Sequence, residues 1–175
     1  AVNLGSSSYL SHYLYAYLAA TEKHETDPAR SRIESSLRRA IQLRPGFPYS
    51  YSALASHFLR QNEKLEEAID LATTACRLEP SNMRLLQTLG HSFLSLERLD
   101  EARQVVAWMG RIATSREDRK ISERLSRQIE EKVVQDTVKW TYEYTLETEN
   151  SNGNQPRGIL AGLIKEAAGK FSSVH

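Results

Sequence analysis

The fold is decided by residues Lys64–Ala72, KLEEAIDLA, because the same pattern occurs twice in the chain. Residues Leu96–Val106, LERLDEARQVV, repeat it, so that LEEA at 65–68 becomes LDEA at 99–102, a spacing of 34 residues. Self-similarity at a fixed period of about 20 to 50 residues is the signature of a repeat protein. The sequence therefore predicts an array of copied structural units.

Each copy contains two predicted amphipathic helices. Apolar residues recur at spacings of three and four, which places them on one helical face. The later copy has Leu86, Leu89, Gly90 and Phe93, then Ala102, Val105, Val106 and Met109. The earlier copy has Tyr51, Leu54, Ala55 and Phe58, then Ala68, Ala72, Ala75, Leu78 and Pro80. A side chain at Gly90 would obstruct a neighbouring helix, so this position is expected to be a close helix contact.

A weaker copy precedes these two. Its second helix has Ile33, Leu37, Ala40, Leu43 and Pro45, each 35 residues before its counterpart in the next copy. Its first helix is YLSHYLYAYLAA, with a predicted packing stripe of Leu10, Tyr13, Leu14 and Tyr17. A longer turn joins the two helices, and Asp27-Pro28 predicts the start of the second one, since aspartate caps helices and proline fits a first turn.

These residues resemble the tetratricopeptide repeat (TPR) family, whose pattern is a bulky residue, Leu-Gly, an aromatic, then Ala, a bulky residue and Pro over about 34 residues. The third copy departs from the pattern, with Thr114 in place of proline. The resemblance implies an all-α fold: an α-solenoid, or right-handed superhelix, of about three units at residues 7–46, 48–81 and 83–113.

A capping helix is predicted over residues 115–147, completing an array that spans residues 1–147. Thr114-Ser115 and Asp118 form a candidate capping box at its start. Its apolar stripe recurs every four residues, at Ile121, Leu125, Ile129 and Val133. Terminal units of helical arrays need such a helix with a polar outer face. The alternative is the first helix of a fourth repeat.

The C-terminal third is less regular. Residues 138–146 alternate as a strand would, but a solitary strand leaves its backbone groups unpaired, which favours a continued helix. Residues 148–157 are predicted to be a flexible loop by composition. Residues 158–175 are predicted to be a short amphipathic helix, with an apolar face formed by Leu160, Leu163, Ile164, Ala167 and Phe171.

Catalytic chemistry has little support in the sequence. The five histidines are scattered and show no metal-ligand spacing, and no Gly-rich phosphate loop occurs. Cys76 lies beside Ala75 on the inner side of a second helix, which is typical of a small buried apolar residue. We predict no catalytic residue, no metal site and no cofactor.

Charge and hydropathy restrict the partners. A net charge of +1 gives no bulk attraction to nucleic acid or to an anionic membrane. No apolar run approaches the roughly 20 residues that cross a bilayer. We therefore expect neither nucleic acid nor membrane as a partner. A cytoplasmic location is favoured, while a secreted or periplasmic one stays open because the chain begins at Ala1 rather than Met.

The resemblance implies a concave groove lined by the first helix of each unit. The residues of these helices that are not assigned to packing are the candidate binding residues: His12, Tyr15, Leu18, Ser52, Ser56, Leu59, Arg60, Arg84, Gln87, Thr88, His91 and Leu94. Some chaperone-binding members grip a C-terminal carboxylate with lysines and asparagines. Ser52 and Ser56 occupy two of the matching positions, which disfavours that activity here.

The function that the resemblance implies is a non-enzymatic scaffold that binds a peptide or a partner helix in its groove. Two alternatives remain at this point. The chain could be the TPR region of a larger bacterial enzyme, for example a protease, and recruit its substrates. It could also form a homo-oligomeric scaffold in which the segment ILAGLIKEAAGKF, residues 159–171, enters the groove of another copy.

Overall fold

The computed structural model describes residues 8–20 and 26–152, with side chains through Glu143. This part of the chain folds into α-helices and has no strand, which confirms the all-α prediction for it. The helices are α1 (Tyr9–Ala19), α2 (Asp27–Leu43), α3 (Pro48–Gln61), α4 (Leu65–Leu78), α5 (Met83–Ser95), α6 (Leu99–Ile112) and α7 (Arg116–Asn152).

The first six helices form three helix–turn–helix pairs, α1–α2, α3–α4 and α5–α6, which fall within the three predicted units. Each second helix packs against the first helix of the next pair, α2 with α3 and α4 with α5. The first helices α3 and α5 also pack against each other. Each pair therefore covers its apolar face with its neighbour, which is the stacking principle of a repeat array.

The largest core cluster lies among α1, α2, α3 and α4. Its fully buried members are Ala16, Ile33, Leu37, Leu54, Ala55, Phe58, Ala68 and Ala72. Half of them are alanines, whose small side chains let helix backbones approach closely while the large residues fill the space between. Burying apolar surface stabilises a fold by about 25 cal/mol per Å². The contact between the first two helix pairs is therefore a main source of stability.

The packing face of α1 differs from the predicted one, and the correction matters for the site. Ala16 and His12 are fully buried, whereas Leu10, Leu14 and Tyr17 are 44%, 45% and 55% exposed. Ala16, like Ala55 on α3, is a small residue that lies fully buried in the core cluster. Of the predicted stripe, only Tyr13 packs against the core. Because α1 is apolar nearly all round, side-chain size alone did not identify its packing face.

The predicted capping box begins α7. The backbone N–H of Asp118 donates to Ser115 Oγ at 3.0 Å, and the backbone N–H of Ser115 donates to Asp118 Oδ2 at 3.0 Å. These hydrogen bonds, first of all the one from the Ser115 backbone, lower the pKa of Asp118. The reciprocal pair satisfies donors that the first turn of a helix leaves open.

Compact packing divides the chain into residues 1–126 and residues 127–175, with the boundary inside α7. Within the first unit, the start of α7 packs on the third helix pair. Ser122 Oγ lies 3.5 Å from the Val106 carbonyl oxygen, and Leu125 lies directly beside Gly90. The predicted close contact at Gly90 is thereby confirmed.

In the second unit, the helix α7 continues through residues 138–146 and ends at Asn152. The helical alternative for this stretch is therefore right. Thr141 Oγ1 donates to the Thr137 carbonyl at 2.8 Å, and Lys139 pairs with Glu143 one turn later at 3.9 Å. The predicted loop boundary is wrong, because residues 148–152 are helical. The rest of that loop and the predicted helix at 158–175 lie outside the described residues.

Candidate functional site

A cleft of about 320 Å³ opens between the first helices α1 and α3. Three phenol rings line it, from Tyr13 and Tyr17 on α1 and from Tyr49 on α3. Ile33 and Leu37 of α2 form part of its apolar wall. The cleft exists because Ala16, Ala20 and Ala53, which also line it, are too small to fill the space between the helices.

Polar groups on α3 line the other side of the cleft. Ser52 and Ser56 present hydroxyls, and Arg60 supplies a cation near the last turn of the helix. No acidic residue occurs in α1, α3 or α5, although the chain has 22 in total. The surface of these first helices is therefore neutral to weakly cationic, while the acids of the described residues lie on second helices, turns and α7.

The tyrosines influence one another. Burial raises the pKa of Tyr13, and the proximity of Tyr17 and Tyr49 raises it further. The Tyr13 and Tyr17 rings stack with centroids 6.0 Å apart. Tyr13 is therefore held as a neutral phenol, and the cleft combines flat aromatic surface with hydroxyl groups that both donate and accept hydrogen bonds.

Arg60 connects α3 to the end of α1. Its Nη1 donates to the carbonyl oxygen of Ala20, which follows the last turn of α1, and its Nη2 lies 3.4 Å from His57 Nδ1. Gln61 Nε2 lies 3.1 Å from His57 Nε2. Because the carbonyls at a helix end lack partners within the helix, the arginine both lines the cleft and fixes the position of α1 against α3.

The predicted site residues on α3 and α5 have different surroundings. Ser52, Ser56 and Arg60 lie together in the cleft, as expected for one surface. The hydroxyls of Ser52 and Thr88 are 3.0 Å apart and link α3 to α5. The remaining half-buried members are Leu59, Gln87, His91 and Leu94. Burial lowers the pKa of His91, which favours its neutral imidazole.

Arg84 does not join Arg60. It is exposed near the start of α5, in a polar recess that also includes Thr114, Glu117 and Asp118 from the start of α7. The two predicted groove cations therefore face different environments, and only Arg60 belongs to the cleft.

On α1 the predicted site residues lie outside the cleft. His12 is fully buried, Leu18 is 64% exposed, and neither of them nor Tyr15 lines the cleft. Tyr13 and Tyr17 line it instead. The missed signal was Ala16. Once it is matched with Ala55 and Gly90, the residues that follow His12 and Ala16 become the cleft-lining positions of α1.

Cys76 provides a test of the buried environment on α4. The side chain is partly buried, and desolvation raises the pKa of its thiol from 9.0 to about 11. Since the thiolate is the reactive form, we expect Cys76 in the folded chain to react with a disulfide reagent at pH 8 about 100-fold more slowly than in the chain unfolded by denaturant. The folded rate should rise about ten-fold per pH unit until about pH 11. Equal reaction rates of Cys76 in the folded and the unfolded chain would show that its thiol is not shielded from solvent in the folded chain.

No group of three or more His, Cys, Asp or Glu side chains among residues 8–20 and 26–143 is arranged to hold a metal ion. In the described part of the chain, no helix combines the length and the apolar character that a membrane span requires.

No protein-family model and no curated protein sequence matches the chain. Solved structures do match. The first TPR domain of Spaghetti (RPAP3), bound to the HSP90 peptide SRMEEVD, is similar with a TM-score of 0.56 and 15% identity, over 70% of this chain and 95% of that domain. The TPR domain of Arabidopsis OM64 gives a TM-score of 0.57 and 16% identity, over 71% of this chain and 95% of that domain.

The described helices thus form a TPR-like repeat array. The likeness is one of fold, since identity at this level carries no information about individual binding residues. The class of fold was expected from the repeat, whereas the cleft between α1 and α3 is a property of this chain.

Proposed function

We propose that the chain is a non-catalytic protein–protein interaction module that binds a peptide segment of a partner along its first helices. The observation that carries the proposal is the open cleft between α1 and α3, which combines Tyr13, Tyr17 and Tyr49 with the hydroxyls of Ser52 and Ser56. Concave sites with apolar walls and a few convergent polar groups are typical of ligand binding.

The cleft chemistry favours a partner that inserts an apolar side chain. The aromatic walls provide flat contact surface, and the serine hydroxyls can bond to a peptide backbone. The absence of acidic residues on α1, α3 and α5 favours a neutral or acidic segment over a basic one. That a neighbour in fold is bound to a peptide supports this mode of recognition.

The lack of catalytic groups supports a binding role. Cys76 is the single cysteine of the chain, and its raised pKa makes it a poor nucleophile. The cleft has no acidic residue, and the histidine that lines it, His57, is 1% exposed with its ring nitrogens against Arg60 and Gln61. We therefore assign recognition, rather than chemistry, to this segment.

A random peptide library displayed on phage tests the proposal. Peptides selected by the native chain are expected to bind a Ser56→Trp variant at least about ten-fold more weakly, because the indole occupies the cleft. Tyr17→Ala, which removes an exposed wall without adding bulk, should also weaken binding. Affinity is measured by calorimetric titration of synthetic peptides.

The matched control is Ser35→Trp, which places the same side chain on the exposed surface of α2. It should leave peptide affinity unchanged, and circular dichroism should show the same helix content in all variants. If selection enriches no peptide, or if the selected peptides bind Ser56→Trp and native chain equally, the cleft is not the recognition site.

A further inference from the structure

Three hydroxyl groups in the cleft between α1 and α3 have no hydrogen-bond partner within the described part of the chain. These open hydroxyls belong to Tyr13, Tyr17 and Ser56. The Tyr49 hydroxyl, by contrast, accepts a hydrogen bond from Asn82 Nδ2 at 3.0 Å and donates to Glu79 Oε2 at 3.3 Å. A hydroxyl that a ligand covers loses its bonds to water, so the occupant of this cleft has to offer acceptors to the open hydroxyls.

The walls of the cleft offer few acceptors in return. In α1 and α3 the backbone carbonyls are used by the hydrogen bonds of the helices themselves. The Ala20 carbonyl, which follows α1, already accepts from Arg60, and no Asp or Glu lines the cleft. A ligand backbone that presents many N–H groups would therefore leave them unpaired, whereas a backbone that presents carbonyls alone would be satisfied.

The aromatic side of the cleft is held in place before any ligand binds. Tyr13 packs edge-on against Phe47, with ring centroids 5.2 Å apart, and the Phe47 ring lies 5.3 Å from the Tyr49 ring. Tyr13 also stacks on Tyr17, with ring centroids 6.0 Å apart. These contacts form one continuous aromatic surface, whose preformed geometry lowers the cost of ordering it around a ligand.

We propose that the cleft binds a proline-rich segment in the polyproline II conformation, an inference that rests on the peptide-binding role proposed above. Such a segment has no internal hydrogen bonds, and proline has no backbone N–H, so its backbone presents carbonyls without donors. These carbonyls complement the open hydroxyls, and the proline rings supply flat apolar faces for the aromatic surface. Aromatic-lined grooves are a recurring way to recognise this conformation.

The spacing of the aromatic rings fits this conformation. The ring centroids of Tyr13 and Tyr17 are 6.0 Å apart. A polyproline II chain advances about 3.1 Å per residue, so residues two positions apart are separated by about 6 Å along its axis. Since this helix has three residues per turn, a concave site contacts two of its three faces, which lets prolines two positions apart meet the two rings.

Two other occupants fit the cleft less well. An α-helix uses its own carbonyls internally, so it would cover the open hydroxyls without offering backbone acceptors. A quaternary ammonium group, which aromatic cages also bind, would meet the guanidinium of Arg60 with no carboxylate in the cleft to offset it. A polyproline II segment brings both acceptors and flat apolar rings, and its backbone carries no charge.

Calorimetric titration of the full chain tests the proposal, with a blocked oligoproline of about nine residues, three turns of polyproline II, as the probe. It should bind at least about ten-fold more tightly than a blocked glycine–serine peptide of the same length, which is a flexible coil. Tyr17→Ala and Ser56→Trp should each weaken oligoproline binding at least about ten-fold. Tyr17→Phe, which keeps the ring and removes the hydroxyl, should fall between Tyr17→Ala and the native chain. Ser35→Trp is the matched control and should bind like the native chain.

A change in the probe tests the role of backbone donors separately. The central proline is replaced by N-methylalanine, which also lacks an N–H, or by alanine, which adds one. The N-methylalanine peptide should bind more tightly, because the cleft has few acceptors for the added N–H. If the alanine peptide binds as tightly or more tightly, the proposal is overturned.

Failure of this proposal can be told apart from failure of peptide binding itself. The proline-rich assignment is overturned if oligoproline binds no better than the glycine–serine peptide, if it binds Ser56→Trp as well as the native chain, or if a trimethyllysine peptide binds more tightly. Library-selected peptides of other composition that lose affinity on Ser56→Trp would then still support the peptide-binding role. The absence of such peptides as well would remove both.

Discussion

Replacing Gly90 by valine is expected to lower the free energy of unfolding by about 3 kcal/mol, the upper part of the usual range for overpacking a core. A Cβ atom at position 90 would lie 2.3 Å from Leu125 Cδ2, well inside van der Waals contact. Leu125 is fully buried, so its side chain has little room to move away. Urea denaturation followed by circular dichroism measures the loss.

Gly110 is the matched control, because it is also a glycine inside a helix, but a Cβ there meets no atom within 4 Å. Gly110→Val should change stability by less than about 0.5 kcal/mol, since valine has a slightly better helix propensity than glycine. A loss at position 90 no larger than the change at position 110 would show that the contact with Leu125 does not govern position 90.

A double-mutant cycle isolates the contact. Leu125→Ala alone should cost about 2–5 kcal/mol through the cavity that it leaves. In the chain that also carries Gly90→Val, the new side chain occupies part of that cavity. The double variant should therefore be more stable than the sum of the two single changes by about 0.5–3 kcal/mol. Strict additivity would show that the two positions do not touch.

The repeat made most of the fold predictable. The repeat period and the spacing of apolar residues within each helix can both be read from residues that are close in sequence. The copied patterns at 65–68 and 99–102 therefore predicted α4 and α6. Gly90 was predictable for a related reason, since a glycine on the packing face of a helix has few roles other than close approach. The capping box at Ser115 and Asp118 is likewise a short-range pattern.

The register of α1 was not predictable by the same route. A helix with Leu or Tyr on every side offers several apolar stripes, and periodicity cannot rank them. The structure selects the face with Ala16, because close approach to α2 requires a small residue there. As a result, His12 is buried, Tyr13 and Tyr17 line the cleft, and the three leucines of α1 stay exposed.

The cleft itself depends on distances between helices that no local pattern encodes. Ser52, Ser56 and Arg60, which line the cleft, were among the predicted candidates because α3 follows the repeat closely. The separation of Arg84 from Arg60 was not foreseeable, since it follows from where the start of α7 lies beside α5. Similarly, Arg60 gave no sequence signal of its hydrogen bond to the Ala20 carbonyl.

Replacing Phe58 by alanine is expected to cost about 3–5 kcal/mol, the usual range for emptying a buried aromatic site. Phe58 is 1% exposed in the core shared by the first two helix pairs. Its ring also lies 4.9 Å from Lys64 Nζ, a cation–π contact worth about 0.5–1 kcal/mol near the surface. Total stabilities of natural domains are about 5–15 kcal/mol, so this variant should be close to unfolding at 37 °C.

Phe93 provides the comparison, because it occupies the same repeat position 35 residues later and is partly exposed. Phe93→Ala should cost clearly less, about 1–3 kcal/mol, since less apolar surface returns to water. Its ring has one cation, Arg98 Cζ at 5.0 Å, whereas the Phe58 ring has Lys64 and also Arg38 Cζ at 5.8 Å, so burial is the main difference between the two variants. Chemical denaturation of both variants measures the difference, and equal losses would show that the contact between the first two pairs is not the main core.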